Sequence, residues 1–430
     1  KVYEETGLPL PRLSLVWHSV PQFTPDEAAL DILANILSSG RGSRLQSNLV
    51  FNKEMVQSVF AGNNTSEIAG LFQIQATARQ GKNLEDIERE INAEIERIKG
   101  APPTAEEMTR ALNGIEAQNV FRLQTVLGKG GQLSTYAGYL KNPNYFQADL
   151  DGYRKVTAAD VQRVANKYLT ANRLVMAYVP RRSEAQATTT ATAVSEVNRP
   201  TSTAEKKIDE ARIAQQRARL PKPGTNPRLA LPPIQKMKLS NGLNVWMVKQ
   251  SELPIVSMNM VMKTGATHDP ADKSGVAATT AGMLNQGTMR RSAIDISNGL
   301  QSIGASVGAG AGWDATTVSM QSLTKNLDQA LDIYSDVIVN PAFPANELES
   351  LRRRSLGQFL QRRANPTAIS ALVYNRILYG DQPYGRLIGG DEKSIRGMKR
   401  EDLVNFYETN YRPDNATLIV VGDVNSASVG

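Results

Sequence analysis

The sequence of 430 residues contains no cysteine. This excludes disulfides, thiolate nucleophiles and cysteine-built zinc sites, and it agrees with an oxidising compartment where free thiols are disfavoured. Histidine is almost as scarce, with only His18 and His268. His18 falls in the middle of a strand pattern and His268 in a Thr-His-Asp-Pro loop, so each reads as structural or solvated. Two imidazoles so far apart leave a Ser–His hydrolase little to work with. No run of about 18 apolar residues is present, which argues against a spanning helix. No charged-then-apolar leader precedes Lys1, and the chain reads as a piece of something longer. Charge of one sign is not concentrated either: the formal net charge is +7. The basic runs Arg352-Arg353-Arg354 and Arg362-Arg363 lie in a helical pattern without the interleaved aromatics that stack bases. They read as a solvated face, with nucleic-acid binding a distant alternative.

The length is too great for one comfortable core, and the chain divides into a block at 1–180, a linker at 181–235 and a block at 236–430. In the first block Leu13, Leu15 and Trp17 alternate as a half-buried strand does. The tetrapeptide TPDE (24–27) has the pattern of a capping box, and TAEE (104–107) repeats it. Leu30, Leu33 and Leu37 mark one helix face, and Ile87, Ile91, Ile95 and Ile98 mark another. The linker holds the low-complexity run ATTTATAV and many prolines, with a polar helix expected inside it, capped by Ser202 and Glu205. The second block opens on KMKLSNGLNVWMV, where Asn241-Gly242 between apolar runs signals a hairpin. Helices are expected near 273–285, 292–302, 325–338, 345–364 and 367–379, and a Gly-rich strand over 304–321.

The two blocks end alike. Asp160 and Asp402 open similar helices, Tyr168 and Tyr411 close them, and Asn172 and Asn415 precede strands. Chance aside, this points to two related α+β domains. Lys263-Thr264-Gly265 and Ser322-Leu323-Thr324-Lys325 match pieces of the penicillin-binding signature, but in reversed order and without its Ser-Asp-Asn element. Gly304, Gly308, Gly310 and Gly312 do not have the dinucleotide-binding spacing, and read as close packing or close backbone approach along a strand.

The stretch GVAATTAGMLNQGT (275–288) resembles the segment in which the insulinase or pitrilysin family of zinc metallopeptidases, with the mitochondrial processing peptidases, carries His-x-x-Glu-His. NGLNVWMV (241–248), DQPYGRLIGG (381–390) and YRPDNATLIVVGDV (411–424) resemble further landmarks of that family. On this resemblance the two histidines fall on Ala278 and Gly282, and the glutamate between them on Ala281. The remaining ligand, a glutamate eight residues before one proline and twenty-five before another, falls on Gln358, ahead of Pro366 and Pro383. Catalytic zinc needs about three donors from histidine or carboxylate, so the resemblance implies neither metal nor catalysis here. ILSSGRGSRLQSNLVFNKEMVQSV (36–59) resembles the C-terminal type of domain in the same family, with Val50 and Gln57 where active members present an Arg–Tyr pair.

The resemblance implies an α+β fold of the LuxS/processing-peptidase type: two related domains, each a largely antiparallel sheet with helices on one face. It implies a C-type domain followed by a degenerate N-type domain, the middle of a fused two-half bacterial member. The zinc then belongs to an N-type domain upstream of Lys1, and the Arg–Tyr pair to a C-type domain downstream of Gly430 or in a partner subunit. The implied function is a non-catalytic portion of a zinc metallopeptidase, enclosing unfolded peptides in a chamber. Gly308, with Trp313 and Thr316, lies on the strand ASVGAGAGWDATTVSM (305–320), which matches the peptide-pairing strand of active halves. The alternative is a purely structural or binding member of the family. Bacterial fused members are commonly exported, which gives the periplasm as the expected compartment.

Overall fold

The computed structural model describes residues 1–5, 8–180, 210–218, 224–225 and 232–424. The first block contains β1 (Val2–Glu5), β2 (Arg12–Ser19), α1 (Glu27–Ser38), β3 (Val56–Thr65), β4 (Gly70–Ala78), α2 (Leu84–Gly100), α3 (Ala105–Arg122), α4 (Val126–Leu140), α5 (Phe146–Arg154), α6 (Ala158–Tyr168) and β5 (Leu174–Pro180). Its sheet runs β1-β5-β2-β4-β3 and is antiparallel except for the parallel β1–β5 pair. The period-two alternation of β2 turns Leu13, Leu15 and Trp17 inward, where α1, α2 and α6 cover that face. Ile87, Ile91, Ile95 and Ile98 complete the same core from α2. The Trp17 indole N–H, which burial would otherwise strand, donates to the Thr170 carbonyl at 2.8 Å.

Between the two blocks, α7 (Glu210–Ala218) is the described helix. The expected caps at Ser202 and Glu205 lie outside the described residues.

The second block contains β6 (Gln235–Lys238), β7 (Asn244–Lys249), β8 (Ile255–Met262), α8 (Val276–Met283), α9 (Ala293–Ser302), β9 (Ser306–Ala311), β10 (Thr316–Leu323), α10 (Leu327–Val339), α11 (Ala345–Arg363), α12 (Pro366–Tyr379), α13 (Glu392–Gly397), α14 (Arg400–Asn410) and β11 (Ala416–Gly422). Its sheet runs β6-β7-β11-β8-β10-β9. Apart from the added β6, this repeats the first sheet strand for strand: the closing strand pairs in parallel with the opening one and antiparallel with the next. In this correspondence α8 occupies the place of α1, and the edge strand β9 the place of the edge strand β3. The two helices before the closing strands also match. Asp160 and Asp402 accept the backbone N–H of Thr157 and Lys399 respectively, at 3.0 and 2.9 Å.

Two local expectations are corrected. TAEE forms its capping box at Thr104 and Glu107, but TPDE does not. Phe23 has φ +60°, Asp26 is already helical, and Glu27 accepts instead from the Phe23 N–H and, at 2.6 Å, from the Thr65 hydroxyl. The Gly-rich segment is not one strand but the β9–β10 hairpin, turning at Gly312–Ala315, where the Gly312 N–H donates to the Ala315 carbonyl at 2.7 Å.

Both blocks belong to one compact unit. Ala117, Ile255 and Leu323 share a small apolar cluster across the joint. Arg41 makes a bidentate pair with Glu347 at 2.6 and 3.0 Å. The Gln301 and Asn113 side chains each donate to a carbonyl of the opposite block, of Ser39 and Ser302.

Candidate functional site

α8 begins at Gly275, whose φ of +93° and contact with the backbone of Gly389 and Gly390 leave no room for a Cβ. Its first N–H groups are held by Asp269, a residue read from the sequence only as part of a loop. The carboxylate oxygens accept from Gly275 N at 2.6 Å and Ala277 N at 2.9 Å. Burial pushes this carboxyl up to about 6 despite those two bonds.

The four positions of the expected metal site lie on two helices, α8 and α11. Ala281 is fully buried, Ala278 and Gly282 are half-buried, and Gln358 is exposed. A Cβ on Gly282 would stand 4.0 Å from Leu351 Cδ2 of α11, so the two helices meet there through apolar groups. None of the first three side chains carries a lone pair, and Gln358 offers a single neutral amide. These residues do not fit zinc. Among the described residues no group of three or more His, Asp or Glu is placed to hold a metal.

Val50 and Gln57, the positions expected from the resemblance to correspond to the Arg–Tyr pair, are packing residues. Val50 sits in the first block's core within a π-helical turn, Gln46–Asn52. The Gln57 amide donates to the Arg354 carbonyl at 2.8 Å, and Gly357 leaves space for it: a Cβ there would come within 2.7 Å of the Gln57 oxygen. The segment expected to face substrate therefore docks on the helix expected to supply the last metal ligand. Glu54 continues this contact by pairing with Arg353 at 2.5 Å.

On β9, Gly308 faces outward opposite Ser319, and Gly310 beside it has open space. Trp313 is half-buried in the hairpin turn against Tyr384, with ring centroids 5.6 Å apart. Thr316 is corrected as a peptide contact: it is fully buried, and its hydroxyl donates to the Thr264 carbonyl at 2.7 Å. His18 and His268 are both exposed.

Sequence reading missed a polar cavity of about 940 Å³ inside the first block. Glu27 and Asp31, one turn apart on α1, face it together with Asp149 of α5. Tyr153 and Asn63 donate to Asp31 at 2.7 and 2.9 Å, and Tyr136 donates to Asp149 at 2.7 Å. Burial raises all three carboxyls, and Asp31, with Glu27 and Asp149 as like-charged neighbours, is pushed up to about 6. Two acids at helical spacing were the available signal, but which face α1 turns inward depends on the sheet.

Because the folded state holds the Asp31 proton to a higher pH than the unfolded chain, stability falls as pH rises from about 4 through about 6. Asp31→Asn is expected to raise the unfolding free energy by about 2–3 kcal/mol at pH 8 and by well under about 1 kcal/mol at pH 4, the Tyr153 hydroxyl turning to accept from the new amide. Urea unfolding at the two pH values checks this; an equal change at both would contradict it.

Two family models match. Residues 1–115 and 397–429 match "Peptidase M16 inactive domain", and residues 245–390 match "Insulinase (Peptidase family M16)". The chain belongs to peptidase family M16. Among its M16 relatives, an uncharacterized zinc protease of Rickettsia felis is 28% identical over 187 residues, 44% of this chain and 45% of that protein. The mitochondrial-processing peptidase subunit beta of Lentinula edodes is 27% identical, covering 44% of this chain and 41% of its own. A solved M16 inactive domain from Pseudomonas fluorescens is 29% identical with a TM-score of 0.44, covering 46% of this chain and 48% of that one. The chain spans about half the length of the curated relatives it matches. No helix among the described residues is long and apolar enough to cross a membrane.

Proposed function

We propose that this M16 chain is a non-catalytic part of a zinc peptidase, a wall of the chamber that holds peptides while a domain outside this sequence cuts them. The carrying observation is the exchange at six positions. Ala278, Ala281, Gly282 and Gln358 replace metal-site groups with side chains that cannot ligate zinc, and Val50 and Gln57 replace a substrate-binding pair with packing. The edge strand β9, paired only with β10 among the described strands, supports the enclosing role, since an extended peptide can add to such an edge through its backbone.

In this reading zinc belongs to an N-type domain upstream of Lys1. The Arg–Tyr pair belongs to a C-type domain downstream of Gly430 or in a partner subunit. The periplasm follows from the resemblance alone. A second reading, a purely structural or binding member of the family, is favoured by how fully Val50 and Gln57 are absorbed into the joint.

Metal analysis and an unfolded-peptide cleavage assay, on this chain and on its longer parent, test the proposal. The expected result is neither stoichiometric zinc nor cleavage here, and both in the parent. One zinc per chain here overturns the proposal. A parent lacking zinc and activity selects the second reading.

A further inference from the structure

We propose that the cavity between the two blocks, at the guanidinium of Arg354, binds a carboxylate carried on an apolar residue, namely the C-terminal residue of a peptide. The cavity measures about 330 Å³, at the small end of ligand pockets. Its charged lining is cationic, Arg41 and Arg354, and Phe51, Ile296, Leu300 and Val307 supply an apolar wall.

The two arginines differ in what they have left to offer. Arg41 lies 4.0 Å from the centroid of the Phe51 ring and is satisfied by Glu347 and Gln286. Arg354 lies 5.6 Å from the same ring. Its one side-chain hydrogen bond among the described residues is from Nη1 to Ser350 Oγ at 2.8 Å, and it has no ion pair there. The nearby acids are already engaged: Glu347 by Arg41, and Glu54 by Arg79 and Arg353. Burial and the neighbouring charges of Arg41 and Arg79 hold the Arg354 guanidinium below its usual pKa, yet a guanidinium stays charged. A cation so enclosed, with most of its five donors uncommitted, is completed by an anion.

The rest of the lining selects which anion. Inorganic phosphate would leave the apolar wall bare, whereas a terminal residue with an aliphatic side chain covers it. Ser306 and Val307 of β9 also line the cavity, and β9 is paired only with β10 among the described strands. Its other edge can therefore pair with the backbone of the incoming peptide. The proposal does not rest on the enclosing role.

Calorimetric titration of the whole chain at pH 7 with N-acetyl-leucine, N-acetyl-leucinamide and inorganic phosphate tests it. The acid is expected to bind and the amide not to. Arg354→Gln is expected to weaken acid binding about tenfold or more, and Arg354→Lys to keep part of it. Without ligand, Arg354→Gln is expected to melt no lower than the parent, because the charge it removes is half-buried and has no ion pair of its own among the described residues. Equal binding of acid and amide, undiminished binding by Arg354→Gln, or a lower melting temperature for that variant would overturn the proposal. Phosphate binding as tightly as the acid would also overturn it, by removing the role of the apolar wall.

Discussion

Gly304→Ala is expected to cost about 3 kcal/mol or more of unfolding free energy, from two independent terms. Gly304 has φ +63°, a conformation that strains any residue with a Cβ by about 1–3 kcal/mol. The added carbon would also stand 2.5 Å from the Asn113 carbonyl oxygen and 2.8 Å from Ala117 Cβ. The first of those atoms is α3 backbone, which no rotamer change can move aside, so the packed joint must open instead. Urea unfolding measures the loss, with Gly310→Ala as control: that glycine lies on the same segment with open space around it, and its change should stay within about 0.5 kcal/mol. Equal effects at the two sites would mean that α3 does not press on Gly304 in solution.

Ala281→Glu, which places a carboxylate where the resemblance puts the acid of the metallopeptidase motif, is expected to destabilise by about 3 kcal/mol or more at pH 7. Ala281 is fully buried, and no cationic side chain projects from α8 (VAATTAGM) to compensate a carboxylate there. Burial would raise the folded-state pKa of the new acid above its unfolded value. The penalty is therefore absent below the unfolded pKa, grows as pH rises, and is complete above the folded pKa. Unfolding at pH 4 should show a much smaller deficit than at pH 7; the same deficit at both would point to bulk rather than charge. Gln358→Glu, at an exposed position, should change stability by less than about 0.5 kcal/mol.

Elements set by local pattern were legible, and contacts between distant segments were not. The alternation of Leu13, Leu15 and Trp17 and the isoleucine stripe of α2 report directly which side meets the core, and both elements form as read. The two capping-box patterns show where locality ends. Thr104 has the extended backbone a cap requires, whereas the chain before α1 is bent at Phe23, and Glu27 is drawn to Thr65 on β3. The β9–β10 turn had a signal in Gly312-Trp313-Asp314 that the glycine-rich texture on either side obscured.

The joint was invisible for a different reason. Arg41 and Glu347 are separated by 306 positions, and Gln57 and Arg354 by 297, and no periodicity relates residues across such distances. The reading of Arg352-Arg353-Arg354 as a solvated face failed there too. Arg352 donates to the Ile395 carbonyl at 3.0 Å, Arg353 pairs across the joint, and Arg354 lines the cavity. By contrast, the chemical emptiness of the metal positions could be read without any coordinates, because it depends on residue type alone.

The fit of Gln57 into the notch at Gly357 ties the two blocks together in their evolution. An aromatic ring placed at position 57 would meet α11 head-on, and a larger residue at position 357 would displace the amide. Either position can therefore change freely only when the other changes with it, so the two are expected to vary as a pair.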